Sequence, residues 1–112
     1  ISFMPIINLD KEDAFEKVDA YLKDKNPPLA IEFVFSNLKS PVINQFKSIH
    51  KRGTRVWVNS LWKTLNAGYE DDMAVQYTDS IYGWYIKNNI NMIQTDRPQL
   101  LLEYLRSKGL HN

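Results

Sequence analysis

The 112 residues carry 14 basic and 13 acidic side chains, are 44% hydrophobic and include no cysteine. That size and apolar content fit one globular domain, and the interspersed charges offer no basic face for nucleic acid. Disulfides and thiolate metal sites are excluded, cytoplasm and bacterial periplasm or secretion stay equally open, and no apolar run reaches the roughly 18 residues of a spanning helix.

Residues 2–8, SFMPIIN, are short and apolar, and Pro5 argues against a helix, so the segment is predicted to be a buried strand. It begins without an initiating Met or a basic leader region, as a mature product or a piece of something longer would. Asp10 is placed to cap a helix from Lys11 to Lys25 whose apolar face is Ala14, Phe15, Val18, Tyr21 and Leu22, stopped by Asn26-Pro27-Pro28. Residues 29–36, LAIEFVFS, read as a second buried strand. Ser40-Pro41 starts a second helix carrying Val42, Ile43, Phe46, Ile49 and His50 on one face, and Gly53 ends it.

TRVWVNS, residues 54–60, is the third strand, followed by a long loop and a short helix over Asp79 to Asn88 with Ile81, Trp84, Tyr85 and Ile86. INMIQTD, residues 90–96, is the fourth, after which Asp96 caps a helix with Pro98 in its first turn and Leu101, Leu102, Tyr104 and Leu105 on its buried face. Gly109 ends that helix. The order βαβαβαβα predicts an α/β fold of four consecutive βα units with parallel strands, in one segment spanning 1–112.

Functional groups in such folds collect where strands end and helices begin. Those ends read Asn8-Asp10, Ser36-Asn37, Asn59-Ser60 with Trp62, and Thr95-Asp96-Arg97. Asp10 and Asp96 read as helix caps. Glu32 lies inside an apolar run, where an ionised carboxylate is costly unless paired, so it either points toward a cation or basic group in a lumen or sits solvated at an edge or mouth. Trp57 and Trp62 are packing residues taken singly; with Asn59, which can donate and accept, they form a candidate wall for a phosphate or hydroxyl ligand. Glu70-Asp71-Asp72 lacks calcium-loop spacing and reads as a solvated loop or helix N-terminus. His50 and His111 make no recognised metal pair, and no glycine-rich phosphate loop, nucleophile elbow or H-E-x-x-H occurs.

GTRVWVNS, NAGYEDDMAV, YGWYIKNNINMIQTDRP and LLLEYLRSKGLH together resemble the C-terminal half of the glycerophosphodiester phosphodiesterase family. Val56-Trp57-Val58-Asn59 is similar to that family's seventh-strand motif, and Ile93-Gln94-Thr95-Asp96-Arg97-Pro98 to the end of its eighth. In this chain the asparagine follows the tryptophan sooner, and the loop after it is longer. The resemblance implies strands five to eight of a TIM (β/α)8 barrel, in a metal-dependent hydrolase of lipid metabolism that splits glycerophosphodiesters into an alcohol and glycerol phosphate. It implies that Trp57 and Asn59 line the substrate side, to which the reading of the residues adds Trp62 and Glu32 as candidate substrate-binding residues, and that no catalytic or metal-binding residue lies in this chain. The divalent cation, Ca or Mg, and the His, Glu and Asp acid/base groups would belong to the N-terminal half. Expected partners are a small-molecule phosphodiester and either the missing half barrel or a second copy as a homodimer. The alternative is a non-catalytic half-barrel module that binds a phosphorylated or sugar ligand or a partner protein.

Overall fold

The computed structural model describes residues 4–111. Strands β1 (Ile6–Asn8), β2 (Ala30–Val34), β3 (Arg55–Asn59) and β4 (Met92–Gln94) form one sheet in the order β1-β2-β3-β4, with every pairing parallel. Helices α1 (Ala14–Lys23), α2 (Phe46–Lys51), α3 (Asp71–Gln76), α4 (Thr78–Lys87) and α5 (Pro98–Ser107) lie between and after them. The predicted alternation and strand direction are therefore those of the protein. Strand limits are shorter than the apolar runs: Met4 and Pro5 precede β1, residues 2 and 3 fall outside the described residues, and Phe35 makes only an isolated bridge to Asn66.

Because side chains alternate across a strand, Ile7, Ile31, Phe33, Val56 and Val58 share one face. There they join Val18 of α1, Phe46 and Ile49 of α2 and Tyr85 of α4 in one hydrophobic cluster. A second cluster joins Ala74 of α3, Ile81 and Tyr82 of α4 and Leu101 of α5 against Ile93 of β4. All the helices that build these clusters therefore cover the same face. The opposite face carries the row Ile6, Glu32, Trp57 and Met92, fixed by register, and beyond it Asn8, Val34, Asn59 and Gln94. None of these residues belongs to either cluster, and Ile6 is 65% exposed.

Local chemistry explains the other boundaries. The Val42 N–H donates to the Ser40 hydroxyl at 3.3 Å, and Pro41 opens a 3-10 segment, Pro41–Gln45, that runs into α2. Gly53, at φ 94°, ends α2 in the left-handed conformation that a side chain would resist. The two predicted aspartate caps are not caps. Asp10 lies before the turn that leads into α1, and its two carboxylate oxygens accept the Ser36 N–H at 3.1 Å each, tying the end of β1 to the end of β2. α1 begins instead after Asp13, which makes no side-chain cap. Asp96 lies too far before α5, whose N-cap position is Arg97; the Arg97 N–H donates to Thr95 Oγ1 at 2.9 Å. Phe15 and His50, expected on buried helix faces, are exposed, because Ala14 with Val18 and Phe46 with Ile49 fill the contacts to the sheet.

Candidate functional site

Three of the four residues singled out from sequence come together. Glu32 and Trp57 are register partners on neighbouring strands, and Asn59 stands two residues beyond Trp57 on the same uncovered face. Adjacent strands lie about 4.8 Å apart and two residues advance about 6.6 Å, so the three form one compact corner of that face. Trp62 does not join their row: it precedes a 3-10 turn, Lys63–Leu65, and is 63% exposed.

Asn59 has a defined polarity. Its Oδ1 accepts the Leu61 N–H at 2.9 Å, and its main-chain carbonyl accepts Asn66 Nδ2 at 3.0 Å. The side-chain acceptor is thus occupied, while Nδ2 has no partner among the described residues. The residue is a donor looking for an acceptor. Asn66 is wholly buried and its Oδ1 has no hydrogen-bond partner among the described residues.

Glu32 is 8% exposed; its N–H donates to the Pro5 carbonyl at 2.9 Å, but its carboxylate has no hydrogen-bond or ion-pair partner among the described residues. Removal from water raises its pKa above the ordinary glutamate value. A raised folded pKa in a carboxyl group means that its charge opposes folding, and this cost grows as pH rises from the ordinary glutamate range through the raised value. Glu32→Gln is therefore expected to raise stability at neutral pH by roughly 1 kcal/mol and to flatten this part of the pH profile in urea unfolding. A variant less stable than the parent at neutral pH would mean that the carboxylate has a favourable partner.

Sequence reasoning missed the polar centre of the sheet's C-terminal end. Asp71, in the first turn of α3, is 1% exposed rather than solvated. Its Oδ1 accepts hydroxyls from Ser60 at 2.7 Å, Tyr82 at 2.7 Å and Thr95 at 2.8 Å, and its Oδ2 accepts the Asp96 N–H at 3.0 Å. Burial pushes its pKa up, but the bonds from Ser60, Tyr82, Thr95 and Asp96 together outweigh this and hold it below the ordinary aspartate value. The same carboxylate, with burial acting first, raises the Tyr82 phenol, and it is the leading cause that raises Asp96. The available signal was a hydroxyl residue directly after each of two consecutive strands, Ser60 and Thr95, with an acid between them in sequence.

No group of three or more His, Asp or Glu able to hold a metal ion occurs among the described residues. The chemistry of the donors explains this: Asp71 has both oxygens engaged, and Glu32 stands alone on its face. Away from the sheet, a cavity of about 580 Å³ between α4 and α5 is lined by Asp79, Gly83, Trp84, Tyr104 and Lys108. Within it Asp79 accepts the Tyr104 hydroxyl at 2.6 Å and pairs with Lys108 at 3.6 Å. No helix is long and apolar enough to cross a membrane among the described residues.

Residues 3–105 match the DUF4996 family, described as a domain of unknown function. No curated protein matches the chain.

Proposed function

Since the chain belongs to the DUF4996 family, a domain of unknown function, we propose from its own residues that it forms the substrate-side half of a glycerophosphodiester phosphodiesterase-like barrel. Four parallel strands in sequential order with helices on one face are the arrangement of half a (β/α)8 barrel, whose uncovered face becomes the interior once four more strands close it. In that barrel Trp57 and Asn59 lie toward the C-terminal mouth, where substrates bind in this architecture.

The observation that carries the reading is the donor-only amide of Asn59, two residues beyond Trp57 on the same face of β3. An amide whose oxygen is already used offers two N–H groups to a phosphodiester oxygen, and the indole shields the alcohol part from water. The residues present do not fit a divalent cation. In this reading the cation and the acid/base groups belong to the completing half, and hydrolysis yields an alcohol and glycerol phosphate. A non-catalytic half barrel that binds the same ligand is the second reading, favoured by the full engagement of Asp71.

The test follows the Trp57 indole and Asn59 amide resonances while glycerol 3-phosphate is added to the 112-residue chain. Both are expected to shift, and Asn59→Ala should weaken the response roughly ten-fold, the loss of one charge-assisted hydrogen bond. Unperturbed resonances would sink the reading. Metal-dependent turnover by this chain alone would place the acid/base groups within it and overturn the division between halves.

A further inference from the structure

Unfavourable features meet in residues 66–68, on the long connection between β3 and α3. Asn66 is wholly buried, and its Oδ1 has no hydrogen-bond partner among the described residues. Ala67 holds φ at 56°. Asn89 is the other non-glycine residue with positive φ among the described residues, and asparagine tolerates that region where alanine resists it. Gly68 follows at φ 91°. A buried acceptor deprived of water and a left-handed alanine both oppose the observed form, and such features persist only where neighbouring structure imposes them.

The ends of the connection are fixed. The Ser60 N–H donates to the Gln94 carbonyl at 2.8 Å and the Ser60 hydroxyl to Asp71 Oδ1 at 2.7 Å. At the other end Tyr69 stacks on Trp84 at 4.0 Å, and its carbonyl accepts the Tyr85 hydroxyl at 2.5 Å. Between them, the Ala67 N–H donates to the Phe35 carbonyl at 2.8 Å and the Phe35 N–H to the Leu65 carbonyl at 3.3 Å. Asn66 Nδ2 and the Leu61 N–H reach the carbonyl and the Oδ1 of Asn59. Trp62, Lys63 and Thr64 are exposed.

We propose that residues 61–68 form a strap that opens between Ser60 and Tyr69, and that its closed form fits Asn59 to hold an anion. On opening, the Asn66 oxygen gains water and Ala67 leaves the left-handed region. The Leu61 N–H departs with them, so Asn59 Oδ1 loses its donor and the amide is free to turn its oxygen outward. Closed, the same amide presents N–H groups alone. An anion at Asn59 therefore favours the closed strap, because it binds that state better than the open one. This coupling rests on the phosphodiester reading of Asn59; the opening does not.

Amide hydrogen exchange of the 112-residue chain, with and without glycerol 3-phosphate, tests both. The Phe35 and Ala67 N–H groups are expected to exchange at least about 100-fold faster than an interior amide of β3 such as Val58, since local opening frees them without unfolding the sheet. Ala67→Gly, which removes the left-handed cost, should slow exchange at Phe35 about five-fold. Gly68→Ala should speed it about five-fold through backbone conformation alone, because a Cβ there meets nothing within 4 Å. Thermal unfolding of each variant separates these local effects from a change in global stability. Glycerol 3-phosphate at about ten times its Kd should slow exchange at Phe35 about ten-fold. Phe35 and Ala67 amides that exchange no faster than Val58 overturn the strap, because the segment would then open only with the whole sheet. So does a rate that neither variant alters. An Asn59 resonance that shifts with glycerol 3-phosphate while exchange at Phe35 stays unchanged overturns the coupling. Failure of glycerol 3-phosphate to bind, with the local opening and both variant effects present, defeats the phosphodiester reading and leaves the strap standing.

Discussion

Replacing Asp71 by alanine is expected to cost roughly 3–5 kcal/mol in urea unfolding, the scale seen when a buried charge network loses a partner. The loss is large because one carboxylate serves four donors from separate parts of the chain: Ser60 after β3, Tyr82 in α4, and Thr95 and Asp96 after β4. Without it, three hydroxyls and an N–H are left beside one another in a dry place. Asp71→Asn keeps one acceptor oxygen and should fall between parent and alanine variant. The pH dependence has a fixed sign. Because the folded carboxyl is held below the ordinary aspartate value, its contribution is fully present above that value and is lost as pH falls through the folded one. The alanine variant should lack this part of the acid transition. A loss below about 1 kcal/mol for Asp71→Ala would show that water replaces the carboxylate without difficulty.

Phe33→Ala is expected to cost about 3–5 kcal/mol by leaving a cavity where the ring stood. Phe33 is fully buried in β2 and meets Phe46, also fully buried, at 4.9 Å between ring centroids and 42° between planes. Its neighbours belong to the sheet and α2, so collapse into the space would have to move both. Domains of this size are stable by about 5–15 kcal/mol, so this variant should unfold at a much lower urea concentration, and a midpoint near the parental one would refute the packing argument.

The architecture was legible because it depends on local signals. Short β-branched and aromatic runs such as Ala30 to Val34, bounded by Pro27-Pro28 and Ser36-Asn37, can bury themselves only as interior strands, and Gly53 and Gly109 mark helix ends by their backbone freedom. The grouping of Glu32 with Trp57 and Asn59 was legible only in part. Their faces follow from alternation, but their adjacency depends on a register that no single strand encodes. The helix N-terminus offered for Glu70-Asp71-Asp72 is the start of α3, but the burial of Asp71 was not legible, because it depends on partners contributed by β3, α4 and β4. The displaced caps, Asp10 and Asp96, failed for a related reason: each is used by tertiary structure, Asp10 through its carboxylate on Ser36 and Asp96 through its N–H on Asp71. A cap preference describes an otherwise unoccupied side chain.

Sequential strand order has a kinetic consequence. Ile6 pairs with Glu32, Ala30 with Arg55 and Trp57 with Met92, so the ladders join positions 26, 25 and 35 residues apart, and no strand must wait for a distant one to arrive. Loop-closure entropy grows only with the logarithm of length, so these closures differ by a few tenths of a kcal/mol and none is a bottleneck by its length. Assembly can start at any neighbouring pair and extend outward, placing the chain among α/β domains of intermediate folding speed. The outer strands, each of three residues and paired on one side alone, are then the last to lock and the first to exchange their amide hydrogens.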